Sequence, residues 1–575
     1  MRPLPAGGPS LPGFAGRKRW RLRETPLRGR LQHLGLPPMV AQLLENRGIG
    51  SSSEVKLFLG GEPTKFCNPE LLPGFVPARD VLRDAIKDRR LISVYGDFDV
   101  DGITSTTILT ETIRDLGGKA MPYIPNRERE GYGLNVRAVE SLADRGVEVM
   151  VTCDCGSTSV VEIERARELG MEVVVVDHHV VPTVIPPAQA LLNPKMPAEA
   201  GAFSDYASGG VTFRLAEALY DACHRAFPEE RYIELAALAT VADMVPLVGE
   251  NREIVRRGLV ALANTKRPGL QALMQVAGID PRNVSAETIG FQIGPRINAT
   301  GRLADARLAL ELLLTEEEGT AFALAEQVDA LNKERQRITK EAEEMAREMA
   351  DRRGDLPLIL IGHADFHQGI IGLVASRLVE SFGRPAVVFQ QGDAESRGSC
   401  RSIPEYDIVS GLRHCGDLFE RYGGHRQAGG FTIRSERLAD LEQRLIEHAA
   451  DALDGMDLVP NLDIDAEVPL GQLRSAEIKW LGRLAPHGQG NPDVTLLSRN
   501  VLVTDASMVG EGKHLKLKLK AGPVSWPAIC FRYEGECPQP GDHIDAVFSF
   551  SSDRFGPAGN GGALQLTVVD LAPSL

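Results

Sequence analysis

Val94-Tyr95-Gly96-Asp97-Phe98-Asp99-Val100-Asp101-Gly102 joins an apolar run to three aspartates at alternate positions. The run, residues 91–96, reads as a buried strand, and a helical stretch, 103–116, follows the aspartates. Side chains two apart on an extended segment point the same way, so Asp97, Asp99 and Asp101 can converge. The layout recurs twice downstream. Strand-like 147–152 runs into Cys153-Asp154-Cys155-Gly156, and strand-like 171–176 into Asp177-His178-His179. A further strand at 120–124 and helices at 136–144 and 160–169 fill the intervals. Such alternation implies right-handed crossovers and an α/β fold, a parallel sheet with helices on both faces. Ligands of these sheets bind outside the carboxyl ends of the strands, where all three acidic clusters fall.

Carboxylates that close together raise one another's pKa and oppose folding unless a cation sits among them. Aspartate oxygens with one or two imidazoles suit Mn²⁺ or Mg²⁺, with Zn²⁺ as a further option. Two neighbouring ions are the arrangement used for phosphoryl-ester hydrolysis. Asp243, in Ala242-Asp243-Met244-Val245-Pro246-Leu247, can complete the set. Each cluster alone has a plainer reading. The first could be a calcium loop, although it lacks the glutamate at the twelfth position. A Cys-Asp-Cys is commonly a turn, and a His-His pair commonly surface or core. Three clusters after three strands carry the case.

Composition sets the bounds. At ~150 residues per domain, 575 residues suggest about four domains. Hydrophobic residues at 43% and charged ones at 25% exclude collagen-like, mucin-like and wholly disordered chains. No run reaches the ~18 to 20 apolar residues that span a bilayer, and the N-terminus has no apolar signal core, so a cytoplasmic protein is expected. With 64 basic against 78 acidic residues the chain carries −14, no obvious polyanion binder, yet a cleft can be basic or metal-loaded while the remaining surface repels. The eight cysteines form no CxxC pair and read as reduced thiols. Aromatics at 5% argue against a large base-stacking surface.

Residues 1–30 hold eight Lys/Arg against one acid and read as a disordered basic tail, with order expected from about 38–44. Residues 205–275 read as mostly helical and 276–305 as irregular and glycine-rich. A charged helix over 316–353 would span roughly 50 to 60 Å; a helix that long bridges two domains or makes a coiled coil, and the bridge is the favoured reading. A second α/β unit follows, with strand 358–361, helix 370–381 and strand 386–389, then glycine-rich turns to about 450. After 457, short β runs at 501–504, 514–519, 528–531, 544–550 and 564–568 suggest a five-stranded barrel such as an OB-fold. His514, Lys516, Lys518 and Lys520 alternate along one of these runs, which suits a basic groove for a single strand and equally a solvated strand face.

Residues 96–102, 153–157 and 177–179 resemble the first three motifs of the DHH phosphoesterase superfamily, and 242–247 its fourth. The run Phe291-Gln292-Ile293-Gly294-Pro295-Arg296-Ile297-Asn298-Ala299-Thr300-Gly301-Arg302-Leu303 is similar to one that marks its single-strand-specific 5′→3′ exonucleases. His367-Gln368-Gly369-Ile370-Ile371-Gly372, Gly398-Ser399-Cys400-Arg401-Ser402 and Gly423-Gly424-His425 resemble their DHH-associated domain, and 486–492 with 512–519 their OB-fold. The resemblance implies a parallel-sheet DHH catalytic domain at 36–315 behind a basic tail at 1–35. A connecting helix at 316–353, a smaller α/β DHH-associated domain at 354–452 and a C-terminal OB-fold β-barrel at 458–575 would follow.

By the same resemblance, two Mn²⁺ or Mg²⁺ ions would be held by Asp97, Asp99, Asp101, Asp154, Asp177, His178 and Asp243, with His179 facing the scissile phosphate. Arg296, Ser399 and Arg401 would hold the 5′-phosphate end, His425 would also bind substrate, and Lys516 and Lys518 would add grip on the strand. The implied activity is removal of 5′-mononucleotides from single-stranded DNA in repair and recombination. A single-strand-binding protein and a helicase are the implied partners. His487 stands where a phenylalanine is usual, Cys400 replaces a smaller residue, and the basic N-terminal extension has no counterpart. A phosphodiesterase for short oligonucleotides or cyclic dinucleotides is the alternative within the superfamily. A non-catalytic replication scaffold is the alternative outside enzymes, and it predicts lost ligands that this sequence retains.

Overall fold

The computed structural model describes residues 18–61, 64–127, 129–131, 133–197, 201–473, 475–552 and 564–574. Contacts divide them into two units: residues 64–456 with 488–490, and a second assembled from residues up to 63, 457–487 and 491–575.

The larger unit is built on a five-stranded parallel sheet in the order Lys119–Tyr123, Leu91–Gly96, Val149–Cys153, Glu172–Val176, Ala190–Leu192. The order reverses between Leu91–Gly96 and Val149–Cys153, the switch point at which open α/β sheets bind ligands. The central strands are apolar nearly throughout because helices cover both faces. Two buried clusters lie on those faces, one around Val94, Val151 and Val174, the other around Tyr95, Met150 and Val173. Helix Val100–Asp115 is buried on nearly every side. Its threonines remain tolerable because Thr104, Thr106 and Thr107 each return their hydroxyl to a carbonyl four residues back.

Residues 205–275 form four helices, as expected. The stretch 276–305 does not stay irregular: a π-turn at Ile289–Ile293 feeds helix Gly294–Leu303. Its glycines permit close packing. A Cβ on Gly301 would stand 2.7 Å from the Phe98 carbonyl oxygen. The charged helix runs over Glu318–Arg353. Beyond it, strands Ile359–His363 and Ala386–Gln390 pair in parallel, as read from the sequence. The expected glycine-rich turns are instead three antiparallel strands, Glu395–Arg401, Ala428–Arg434 and Phe419–His425, completing a five-stranded sheet, with helices Ile408–His414 and Leu438–Leu453 beside them.

In the smaller unit, strands Leu496–Val509, His514–Ala521, Val524–Phe531, Leu564–Pro573 and His543–Ser552 pair in turn, and the last returns to the first to close a barrel. Of the expected basic tail, residues 1–17 lie outside the described residues. The remainder is folded: Arg19–Leu22 pairs in parallel with Asn461–Ile464, and Arg21 binds Asp463 at 2.7 Å. Leu31, Leu43 and Leu44 are fully buried in the barrel's core. Opposite charges across the pair let an arginine-rich segment order where charge alone suggested disorder. No helix among the described residues is long and apolar enough to cross a membrane.

Candidate metal centre and arginine cluster

The sheet places the acids by its own ladder. Asp97 donates its backbone N–H to the Cys153 carbonyl, Asp154 to Val176 and Asp177 to Leu192, so each aspartate caps its neighbour's strand end. Asp154 sits at φ 65°, a left-handed turn that ends its strand abruptly. Asp99 caps helix Val100–Asp115, accepting the Gly102 N–H at 3.1 Å, and Asp243 closes helix Glu229–Ala242. Asp101 is fixed by the N–H groups of Ser208 and Gly209 at 2.8 and 2.7 Å.

Three sets of ligand atoms come within 4.8 Å of one another: Asp97, Asp99 and Asp154; Asp101, His178 and Asp243; and Asp154, His178 and His179. Asp97, Asp101, Asp154 and His178 are buried. Burial, then the charges of neighbouring aspartates, pushes the carboxyls of Asp97, Asp101 and Asp154 far above their usual range, and burial lifts Asp243 to about 7. Oδ1 of Asp97 is buried without a hydrogen bond, and His178 Nε2 is buried 3.1 Å from Asp154 Oδ1 and 3.5 Å from Asp243 Oδ2. Burial lowers His178 to about 4, leaving a neutral imidazole. Carboxylate oxygens and a neutral imidazole, desolvated and crowded together, are a donor set that divalent cations fit.

Asp177 departs from the expectation that it would join the ligands, for it belongs to none of the three sets. One oxygen accepts from Ser157 N at 2.9 Å. The other accepts from His178 N, His179 N and His179 Nδ1, the last at 2.8 Å. Burial alone would raise its pKa, but these donors hold it well below the carboxylate range. In return Asp177 raises His179 to about 9 against the opposing effect of burial. Asp177 thus orients and charges His179, the half-exposed member of the group.

Beside the acids lies a group of arginines that the sequence reading found only in part. Arg127 stacks 5.0 Å over the Phe98 ring and is drawn by the charges of Asp97 and Asp99. Arg302 donates to the Gly369 carbonyl at 3.1 Å. Burial, then the positive charges of Arg127, Arg335 and Arg401, lowers it to about 10. Ser399 and Arg401 share a strand face, and Arg401 Nη1 donates to Ser399 Oγ at 3.1 Å. A Cβ on Gly372 would stand 3.0 Å from Ser399 Oγ and 3.1 Å from Arg401 Nη2, so the Gly369–Gly372 turn packs directly on this pair. His425 lies on the same cross-strand row as Arg401, through Ala428, and is exposed.

Arg296 is not where it was expected. Its Nε binds Asp329 of the long helix at 2.9 Å and its Nη1 the Gln292 carbonyl at 2.8 Å, so it braces one helix against another. Lys516, Lys518 and Lys520 point outward from the barrel strand, in the other unit. Ser399 and Arg401 carried an expected role in this group. Arg302 stood inside a motif without one, and Arg127 follows a strand and carried no spacing signal.

Models of three families match the chain: the DHH family, N-terminal domain, over 91–240; the DHHA1 domain over 355–451; and the RecJ OB domain over 464–570. The chain is 34% identical over 571 residues to the single-stranded-DNA-specific exonuclease RecJ of Bacillus subtilis, covering 98% of this chain and 72% of that one. It is 35% identical to the RecJ of Dickeya dadantii, covering 85% and 88%. The crystal structure of RecJ in complex with Mn²⁺ from Thermus thermophilus superposes with a TM-score of 0.84 at 29% identity, over 98% of this chain and 80% of that one. Similarity of this extent, through the parallel-sheet domain, the associated domain and the barrel, places this chain in the RecJ family.

Proposed function

We propose that the chain is a metal-dependent 5′→3′ exonuclease that degrades single-stranded DNA to 5′-mononucleotides. The observation that carries the reading is the buried, uncompensated carboxylate rim at the switch point of the sheet, with an arginine group beside it. Asp97, Asp99, Asp154, Asp101, His178 and Asp243 would hold two ions, Mn²⁺ or Mg²⁺, the metals bound in solved RecJ structures of Thermus thermophilus. Such ions neutralise the developing charge on a phosphate and lower the pKa of a water molecule.

The protein's own groups do the rest. Asp177 keeps the His179 ring fixed and protonated beside Asp154, where it would meet the scissile phosphate. Arg127, Arg302, Arg401 and Ser399 would grip the terminal 5′-phosphate, a task that suits the guanidinium fork. A phosphate pocket beside the ions fixes which end enters, and hence polarity. The outward lysines of the barrel strand would add grip on single-stranded DNA. A single-strand-binding protein and a helicase fit this role as partners, since they expose or present the strand.

Digestion of 5′- and 3′-labelled single and double strands with Mn²⁺, with Mg²⁺ and with EDTA tests the reading. Early release of the 5′ label as mononucleotide, from single strands and only with metal, is expected. Equal attack on duplex, activity that survives EDTA, or cleavage confined to dinucleotides would overturn it.

A further inference from the structure

The long helix carries many charges, and many are satisfied by their own neighbours. Arg337 binds Glu334 and Glu341, Arg352 binds Glu348, and Lys333 binds Asp329. Arg335 differs. It lies half-buried on the face turned to the associated domain, one turn before Ile338, which packs into the core under helix Ile371–Phe382. Among the described residues its one hydrogen bond runs from Nη2 to Asn332 Oδ1 at 2.9 Å, and its Nε is buried without a partner. The charges acting on it are those of Arg377 and Arg296, both positive. The nearby carboxylate, Asp329, is already taken by Arg296 and Lys333. Among the described residues Arg377 meets Glu380 alone, at 3.6 Å on an exposed turn, a pairing too loose and too wet to neutralise it.

A guanidinium withdrawn from water with no anion beside it costs stability, and such a group persists where a ligand supplies the missing charge. Arg302, of the group already described, donates to the Gly369 carbonyl at 3.1 Å, two residues before helix Ile371–Phe382, which carries Arg377, and it feels the positive charges of Arg127, Arg335 and Arg401 alike.

We infer that Arg335 and Arg377 form a second phosphate-binding site, next to Arg302 and distinct from the pocket of Ser399 and Arg401, for a phosphate other than the terminal one. The inference rests on the exonuclease reading. The ligand is a phosphate group, either an internal phosphodiester of the bound strand or the phosphate of a released mononucleotide.

The test needs no hydrolysis for its first arm. Binding of 5′-phosphorylated and 5′-hydroxyl oligothymidylate to the full chain is measured in EDTA as a function of salt, for Arg335→Gln and for Arg377→Gln. The Arg377 side chain is 42% exposed and, among the described residues, meets Glu380 alone, so its change perturbs little packing. If the site takes the strand, each variant reduces the slope of log K against log salt by about 0.7, one counterion-releasing contact on a single strand. Affinity then falls about three- to tenfold, with the preference for a 5′-phosphate unchanged. If the site takes the released nucleotide, strand binding stays as it was, but inhibition of digestion by thymidine 5′-monophosphate and by inorganic phosphate weakens in both variants. Either outcome supports a phosphate site and says whose phosphate it holds. The inference is overturned if both variants leave slope and inhibition untouched, or if Arg335→Gln acts only through a lowered melting temperature. It is equally overturned if the 5′-phosphate preference collapses with affinity, which would merge the two sites. Failure of the wild-type chain to digest labelled strand would instead remove the exonuclease reading, independently of these slopes.

Discussion

Helix Val100–Asp115 carries a buried carboxylate near each end, and the protein treats them oppositely. Near its C-terminal end, Glu111 is gripped by Arg267 through both oxygens at 2.7 and 3.0 Å, and by Arg231 at 3.0 Å. Near its N-terminal end, Asp101 shares a rim with Asp97, Asp99, Asp154 and Asp243, and Arg127 is a cation beside that rim, turned toward Asp97 and Asp99. A charge that serves the fold is paired from within. A charge that serves chemistry is left for something that arrives from outside.

The sharpest way to break this contrast is at the rim itself. Asp154→Ala should lower hydrolysis by about 10³-fold or more, the loss expected when several kcal/mol of transition-state stabilisation vanish, while strand binding in EDTA stays near wild type. Equal loss of binding and fold would make Asp154 a structural residue. Next comes a stability pair. Arg267→Ala leaves buried Glu111 with Arg231 alone and takes the arginine from buried Glu234, and should cost about 3–5 kcal/mol in urea unfolding. Asp97→Asn removes a repelled charge and should leave the metal-free protein as stable as wild type or more so. A large loss from Asp97→Asn would erase the distinction.

Proton linkage gives a third test. The carboxyls of Asp97, Asp101, Asp154 and Asp243 lie higher in the folded state than in the unfolded one, so the stability they lend is complete at low pH and is lost as pH rises, through about 7 for Asp243. His179, raised to about 9, runs the same way between its unfolded value and 9. The metal-free melting temperature should therefore fall by about a few degrees from pH ~6 to pH ~9, and the gain on adding Mn²⁺ should grow over that range. A gain independent of pH would mean that metal displaces no protons there. The smallest effect lies with the arginines: Arg401→Ala should reduce the preference for a 5′-phosphorylated over a 5′-hydroxyl end by about tenfold, about 1.4 kcal/mol. An unchanged ratio would remove Arg401 from the pocket.

The first half of this picture was open to reading because local signals agreed with the global fold. The run Leu91–Gly96 is apolar at every buried position but Ser93, and the aspartates follow at once, so strand, sheet type and acidic rim come from one stretch. What stayed hidden was set by packing at a distance. Gly301 looks like a breaker, yet it is small so that a helix can lie against the Phe98 backbone. Gly398 and Gly362 look like turns but sit in strands beneath the rings of Phe431 and Phe389. Arg296 shares its run with Arg302, and nothing in spacing shows that one braces Asp329 while the other joins the arginine group. Type and position alone group Asp177 with the other acids, and nothing in the sequence announces the four donors that occupy it.

The pairing of Arg19–Leu22 with Asn461–Ile464 has a consequence for synthesis. Leu31, Val40, Leu43 and Leu44 leave the ribosome more than 450 residues before Leu496 and Phe548, which share their core in the barrel. The catalytic body between them can close while this opening segment waits with its leucines bare, an interval in which a holding chaperone or an early-docking partner has its opportunity.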